Sequence, residues 1–174
     1  MKADFSIRVG KKSDLDLLPD LENRADQAYA DLPGFAPMLE RPGLTIEQCH
    51  NLPTSAQIWM AERSEPVGFV FTRDIDDLAY LGQICVVPEA QRKGIGTALM
   101  NAAIAKARAD GKPGIVLATY SDVVFNGPYY AKHGFKNLIH KDMGNELLAL
   151  SIEDKKEWGC FSPRVIMGRF FSDD

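Results

Sequence analysis

The chain has 174 residues, of which 45% are hydrophobic and 25% charged; this is the composition of a globular protein and the length of one ordinary domain. Its 20 Lys and Arg against 24 Asp and Glu give a net charge of −4, so general binding to nucleic acid or to anionic membranes is not favoured. Three cysteines, Cys49, Cys85 and Cys160, lie far apart and are odd in number, which indicates neither a disulfide framework nor a metal site.

The apolar segments of the sequence indicate the cellular location to expect. The first ten residues lack the apolar core of a secretory signal peptide. No apolar run approaches the length of about 18 residues that a spanning helix needs. We therefore expect a soluble cytoplasmic protein, with residues 1–174 forming a single domain.

The N-terminal third is predicted to contain one strand and one long helix. In residues 4–10, polar and apolar side chains alternate as in a strand. In residues 11–32, the apolar side chains recur at helical spacing, and Ser13 is the expected N-cap. Residues 33–53 contain four prolines and two glycines, with a short helix expected around 45–52. A long irregular segment of this kind is often functional, so we expect it to cover the substrate; the alternative is an ordinary surface excursion.

The remaining elements are predicted to build a mixed sheet. A hairpin over 56–63 and 66–75 is followed by a strand at 78–88 that is apolar on both faces and is therefore placed centrally. The expected elements after it are a helix (94–111), a strand (114–120), a short helix (126–135), a strand (135–140), a helix (145–159) and a strand (162–171). The fold class is thus α/β (mixed α+β), with helices on both faces of the sheet. The last strand would lie at an edge, in a homodimer contact or in the protein's own core.

The most specific segment is "VVPEAQRKGIGTALM", residues 86–100. The first turn of a helix has about four N–H groups without an intrahelical partner and a positive dipole end. Glycines allow a ligand to approach these groups closely, and Arg92 and Lys93 add positive charge. The pattern predicts a phosphate-binding turn; the alternative is a solvated basic turn. A Walker A sequence is absent, and Leu99 stands where a dinucleotide-binding fingerprint needs its third glycine.

Two motifs carry a family resemblance. Residues 91–96, "QRKGIG", resemble the [QR]-x-x-G-x-[GA] motif of the GNAT acetyltransferases, and they lie between a strand and a long helix as that motif does. Residues 126–135, "NGPYYAKHGF", are similar to the later asparagine- and tyrosine-containing segment of the same family. The resemblance covers residues 57–140 best. It implies a central, mostly antiparallel mixed sheet that is splayed in the middle.

The same resemblance implies acetyl-coenzyme A as a co-substrate and no metal. The backbone of Cys85, Val86 and Val87 would pair with the pantetheine arm. The pyrophosphate would be held by Gln91, Arg92, Lys93, Gly94, Ile95, Gly96 and Thr97. Asn126 matches an asparagine that contacts the cofactor arm, and it would also serve as the N-cap of the helix that follows.

The resemblance also assigns a catalytic role to Tyr130, which would protonate the departing coenzyme A thiolate. Tyr129 lies about 100° away around the helix, so we expect it to pack instead. His133 and His140 are expected at the surface. Since Cys49 and Cys160 have no evident histidine partner motif, direct attack in a ternary complex is expected rather than an acyl-enzyme.

The general base is where the sequence departs from the family pattern. Many members have a glutamate on the strand before the phosphate loop, but this strand has Gly82 and Gln83 in that zone and no carboxylate. The candidates left open are a water relayed through Gln83 or Tyr80, or a residue of the 33–53 segment, Glu40 or His50.

The expected function is N-acetyl transfer to a primary amine of a small-molecule or amino-acid-like acceptor. Two alternatives stay open: a protein N-terminal or lysine acetyltransferase, and a non-catalytic acyl-coenzyme A-binding module. No motif identifies the acceptor, the acyl-chain preference or the oligomeric state.

Overall fold

The computed structural model describes residues 4–171. Its strands are β1 (Ser6–Val9), β2 (Gln57–Glu62), β3 (Pro66–Ile75), β4 (Leu78–Val86), β5 (Gly114–Tyr120), β6 (Lys136–Asn137) and β7 (Arg164–Phe170). Its α-helices are α1 (Leu18–Asp26), α2 (Ala36–Leu39), α3 (Ile46–His50), α4 (Ile95–Ala109), α5 (Gly127–Lys132) and α6 (Asn145–Trp158). The predicted order of strands and helices is therefore present, with α2 as an additional short helix.

The strands form one seven-stranded sheet in the order β1-β2-β3-β4-β5-β7-β6. The neighbours β1–β2, β2–β3, β5–β7 and β6–β7 pair antiparallel. β4 and β5 pair in parallel at Ala79↔Ile115 and Tyr80↔Val116, near the start of both strands. The predicted mostly antiparallel mixed sheet is confirmed, and β4 lies between β3 and β5 as its two apolar faces indicated.

The chain packs as two compact units, and β3, β4 and α4 contribute residues to both. The first contains the described residues up to Arg73 together with Gln83–Ala105. Fully buried side chains of this unit include those of Leu18, Met60, Phe69, Val70, Leu99 and Met100. They come from α1, β2, β3 and α4.

The second unit contains Asp74–Gly82 and the described residues from Lys106 onward. Its core is a cluster of buried apolar side chains: Ile75, Leu78, Val116, Leu147 and Ile166. β7 pairs with β5 from Gly114↔Phe170 to Tyr120↔Arg164 and with β6 on its other side. The last strand therefore lies inside the protein's own sheet, between β5 and β6, and not at the sheet edge; its Ile166 side chain packs in the protein's own core.

The first predicted helix is interrupted. Lys12–Leu17 form a 3-10 segment, and α1 begins only at Leu18. Proline has no N–H to donate, so it is favoured in the first turn of a helix; Pro19 therefore marks the start of α1. Ser13 is not the N-cap; instead the Asp14 carboxylate accepts a hydrogen bond from the Lys11 N–H at 2.6 Å and pairs with Arg8 at 2.7 Å.

The predicted strand at 135–140 is shorter in the structure. β6 comprises Lys136 and Asn137, both exposed. The Leu138 N–H still donates to the Ile166 carbonyl at 2.9 Å, but residues 140–142 turn into a 3-10 segment. The apolar side chains suggested a longer strand, although only the first residues of the segment meet β7.

Helix α6 is capped by the turn between β3 and β4. The Asp76 carboxylate accepts hydrogen bonds from the N–H groups of Glu146 (3.1 Å) and Leu147 (3.0 Å). In return, the Asp76 N–H donates to the Glu146 carboxylate at 3.0 Å. Asp76 has a positive φ of 48°, a conformation that Asp and Asn tolerate better than most residues.

We expect Asp76→Ala to lower the free energy of unfolding by about 1–2 kcal/mol, the typical value of a lost cap, plus the cost of alanine at positive φ. Asp76→Asn should retain most of the stability because its amide oxygen still accepts. Urea denaturation measures both, with the exposed neighbour Asp77→Ala as the matched control. Equal midpoints for Asp76→Ala and Asp77→Ala would contradict this role.

Candidate functional site

The chain turns sharply between β4 and α4. After Val86, a short 3-10 segment at Pro88–Ala90 leads into the turn, and α4 begins at Ile95. Arg92 and Gly94 have positive φ angles of 57° and 82°. Glycine adopts this conformation freely, whereas for arginine it costs roughly 1–2 kcal/mol. Strain of this kind is found most often at functional sites.

The turn is buried at its ends and exposed in its middle. The flanking side chains of Val87, Ala90 and Ile95 are 0%, 0% and 1% exposed. The middle consists of residues 92–94, which are all exposed. Apolar packing therefore fixes the position of the turn, while its basic and glycine residues face the solvent.

Two side chains of the turn hydrogen-bond to backbone carbonyls. The Gln91 side-chain amide donates to the Val86 carbonyl at 2.9 Å, and the Lys93 ammonium donates to the Glu89 carbonyl at 3.0 Å. Gln91, predicted as a pyrophosphate ligand, thus ties the turn to the end of β4 in this structure. The Glu89 carboxylate is paired with Arg24 from α1, which reduces the negative charge beside the turn.

One of the three residues predicted to meet the pantetheine arm, Val87, has backbone partners within the protein. The Val87 N–H donates to the Val67 carbonyl, and the Val87 carbonyl accepts from the Ala90 N–H, both at 2.9 Å. The backbone of Val87 is therefore already used within the protein.

The Cys85 side chain is 4% exposed, and burial raises the pKa of its thiol well above the ordinary value. A buried, protonated thiol is suited to packing as a small apolar side chain rather than to nucleophilic attack.

Tyr130 and Asn126 belong to the second unit. The Tyr130 side chain is 7% exposed, and its ring packs edge-on against Phe135, with the ring centres 5.7 Å apart. Tyr129 is half-buried and packs with its ring centre 4.6 Å from that of His133. Asn126 is the N-cap residue of α5, but its side chain does not make the capping hydrogen bond; its carbonyl accepts the Tyr130 N–H at 2.9 Å.

A carboxylate that the sequence did not single out lies in the first unit. The Glu22 side chain on α1 is buried, with 8% of its surface exposed. Its Oε1 accepts a hydrogen bond at 2.7 Å from the side-chain amide of Gln83 on β4, and its Oε2 accepts one from the Leu44 N–H. Burial raises its pKa to about 7, against the lowering effect of the Leu44 hydrogen bond.

One signal in the sequence pointed to Glu22. It is four residues after Leu18 and three before Ala25, so it shares the apolar face of its helix. A carboxylate on a buried face must find hydrogen-bond partners. Those partners come from residues 22 and 61 positions away in the chain, and no pattern in the sequence indicates them.

The base candidates named from the sequence are more open to water. Glu40 is exposed. The His50 ring lies 2.7 Å from the Asp16 carboxylate, also at an exposed position. Gln83 has its side-chain amide on Glu22, so the strand position where the family pattern led us to look for a carboxylate is in direct contact with one.

Within residues 4–171, no group of three or more His, Cys, Asp or Glu side chains is arranged to hold a metal ion. No helix in the described part of the chain is long and apolar enough to cross a membrane.

Solved structures share this fold, and two of the three described next contain coenzyme A. The PaiA N-acetyltransferase of Thermoplasma acidophilum, in complex with coenzyme A, is 20% identical with a TM-score of 0.71, over 96% of this chain and 99% of that one. The ribosomal-protein-S18-alanine N-acetyltransferase of Escherichia coli is 18% identical with a TM-score of 0.71, over 98% and 96%. N-acetylglutamate synthase of Neisseria gonorrhoeae, complexed with coenzyme A and N-acetyl-glutamate, is 19% identical with a TM-score of 0.70, over 99% of this chain and 36% of that one.

These identities show a shared fold, and a match to a family model shows the family. Residues 20–135 match the model of the acetyltransferase (GNAT) family. The resemblance found in the two motifs is thereby confirmed, and so is acetyl-coenzyme A as the co-substrate. The chain belongs to the GNAT acetyltransferases, which have a coenzyme A-binding fold and transfer an acyl group from acetyl-coenzyme A.

Proposed function

We propose that the protein transfers the acetyl group of acetyl-coenzyme A to a primary amine of a small-molecule or amino-acid-like acceptor, by direct attack in a ternary complex within one domain. The observation that carries the cofactor half of this proposal is the exposed turn between β4 and α4, with its two positive φ angles at Arg92 and Gly94. The match over residues 20–135 carries the chemistry.

The turn is suited to a pyrophosphate. The Ala98 N–H makes a hydrogen bond to the Gly94 carbonyl at 2.9 Å, so the N–H groups of Ile95 and Gly96 precede that first helical bond and have no intrahelical partner. The dipole of the 15-residue helix α4 adds a positive end. The pyrophosphate ligands in the proposal are Arg92, Lys93, Gly94, Ile95, Gly96 and Thr97, with Gln91 holding the turn to β4.

The pantetheine arm is assigned to the end of β4. Since both backbone groups of Val87 are hydrogen-bonded within the protein, we assign the arm chiefly to the backbone of Cys85 and Val86. The Val86 carbonyl accepts from Gln91 and retains a second lone pair for the ligand.

Tyr130 is assigned as the general acid, with Asn126 contacting the cofactor arm, because both match the family's second motif. The proton transfer is energetically reasonable: a phenol of pKa about 10 giving a proton to a thiolate of pKa about 8.5 is uphill by about 2 kcal/mol. Developing charge on the sulfur strengthens the hydrogen bond and offsets part of that difference. The burial of Tyr130 fixes the ring by packing.

The acceptor class has one serious competitor. The Escherichia coli relative is named for an alanine of a ribosomal protein, whereas the Neisseria gonorrhoeae relative was crystallised with N-acetyl-glutamate. A protein N-terminus and a free amino acid present the same nucleophile, an α-amine. A panel that contains both kinds of acceptor therefore separates the proposal from its competitor.

We expect Gly94→Ala to weaken acetyl-coenzyme A binding about tenfold, corresponding to about 1.4 kcal/mol. The φ of 82° is strained for alanine, so the variant should shift the backbone of the turn that is proposed to bind the pyrophosphate. Gly111→Ala is the matched control, since Gly111 has φ of 70° and an added Cβ meets no atom within 4 Å at either glycine. Both variants should lose similar stability, but only Gly94→Ala should lose affinity by calorimetry. Unchanged affinity in Gly94→Ala would remove the turn from the cofactor site.

A thiol-release assay against a panel of amines tests the reaction itself. The panel should contain amino acids, polyamines, aromatic amines, and peptides with a free N-terminus or an internal lysine. We expect release with at least one small amine, and a fall in kcat of about 100-fold in Tyr130→Phe with unchanged affinity for coenzyme A. Tyr129→Phe should keep the wild-type rate.

Three outcomes would contradict parts of this proposal. Acetylation of the peptides alone would select the protein acetyltransferase. Binding of coenzyme A without thiol release from any amine would select the non-catalytic module. An undiminished kcat in Tyr130→Phe would remove Tyr130 from the chemistry.

A further inference from the structure

We propose that Glu22 is the general base, and that its carboxylate takes the proton from the ammonium group of the acceptor before the amine attacks. This inference rests on the proposed function, because it names the residue that makes the amine nucleophilic. It also replaces the four candidates left open by the sequence.

The first argument is position. Glu22 lies on α1, and its Oε1 is 2.7 Å from the side-chain nitrogen of Gln83 on β4. Gln83 is two residues before Cys85, where we place the pantetheine arm. A carboxylate held on Gln83 is therefore attached to the strand along which the cofactor is proposed to lie.

The second carboxylate oxygen of Glu22, Oε2, contacts the 33–53 segment. It accepts a hydrogen bond from the Leu44 N–H, and a Cβ on Gly43 would lie 2.6 Å from the same oxygen. Both residues belong to the 33–53 segment, which is expected to cover the acceptor. Glu22 thus contacts the cofactor strand on one side and the acceptor-covering segment on the other, all within the first unit.

The third argument is the ionic environment. The two described hydrogen-bond donors to Glu22 are neutral amide groups. The titratable neighbours of Glu22 are Asp26 on its own helix, Cys49 on α3 and Cys85 on β4. None of these described neighbours carries a positive charge.

The consequence of this environment is a base that titrates near neutral pH. Burial, with a smaller contribution from Asp26, raises the pKa of Glu22 to about 7. A general base is most effective when its pKa lies near the working pH. Burial likewise raises the pKa of Asp26 to about 6, so the two acids titrate in neighbouring ranges.

The proton balance of the step is as follows. The ammonium gives one proton to Glu22, and the amine lone pair then forms the C–N bond at the thioester carbonyl. The adduct loses its second ammonium proton to solvent as the C–S bond breaks. The sulfur keeps that electron pair and takes a proton from the general acid, which is restored from solvent. Glu22 releases its proton to water, so each turnover yields amide, free thiol and one proton.

Glu22→Gln tests the assignment through rate and pH profile. Wild-type kcat/KM should rise with pH through about 7, following deprotonation of Glu22, and the variant should lose this limb together with 100-fold or more of its rate. Affinity for coenzyme A should stay within about twofold. The matched control is Glu65→Gln, which changes an exposed carboxylate in the β2–β3 turn. A variant that keeps the wild-type rate and limb would overturn the proposal.

Chemical rescue separates a base from a structural residue. Added formate should restore part of the activity of Glu22→Ala, because a small carboxylate can enter the space that the side chain leaves. A purely structural role would give a slow enzyme on which formate has no effect, and that result would also overturn the proposal.

A measurement without turnover checks the titration. The native pKa of about 7 lies above the ordinary 4.5, so the native state binds more protons between these values. Stability from this group is therefore fully present below about pH 4.5 and is lost as the pH rises through 7. The quantity to measure is the slope of the free energy of unfolding against pH. Because Asp26 contributes a slope of the same sign, the contribution of Glu22 is obtained by comparing Asp26→Asn with the double variant Asp26→Asn, Glu22→Gln. Equal slopes would refute the proposal.

The proposed function and the assignment of Glu22 as the base can be disproved independently of each other. If wild-type protein releases thiol with an amine but Glu22→Gln does so equally well, the proposed function stands and the base is wrong. If wild-type protein binds coenzyme A and acetylates no amine, the proposed function fails and the base assignment fails with it, whatever the slope.

Discussion

The segment between β4 and α4 depends on one constraint: the backbone must leave β4 after Val86 and enter α4 at Ile95 within a few residues. Two residues in left-handed conformations, Arg92 and Gly94, accomplish this turn. Val87 and Ile95, buried on either side, keep it in place. An extended strand, a strained basic turn and a helix N-terminus follow in sequence, and these are the elements that hold the arm and the pyrophosphate in the proposed function.

Two glutamines, Gln83 on β4 and Gln91 shortly after it, connect β4 to its neighbours. Gln91 donates to the Val86 carbonyl and so joins the turn to the strand. Gln83 donates to Glu22 and so joins the strand to helix α1. In the proposed reaction, one glutamine positions the phosphate-binding turn and the other positions the base. The carboxylate absent from the strand is thereby supplied from a different element.

The strongly periodic parts of the chain were predictable from sequence. β4 is apolar on both faces and α4 has a continuous apolar face, so both were correctly placed because local pattern and burial agree. The start of α1 was missed because Pro19 and the Arg8–Asp14 pair override the helical spacing around Ser13. β6 was predicted too long because its extent depends on where β7 meets it.

The residues of the candidate site show the same difference between local sequence patterns and contacts between remote parts of the chain. The sequence predicts a role for the turn because its glycines and basic residues are contiguous, and for Tyr130 because it belongs to a motif; both roles stay predictions. Glu22 was not predicted because its contacts are with Gln83 and Leu44, which are remote from it in the chain. A buried carboxylate on an apolar helix face was visible, but its partners were not.

A crystal structure of the protein with acetyl-coenzyme A tests the central claim most directly. The account predicts pyrophosphate oxygens at about 2.9 Å from the backbone nitrogens of residues 92–97, at the entrance to α4. A bound cofactor whose pyrophosphate lies elsewhere, with this turn empty, would contradict it.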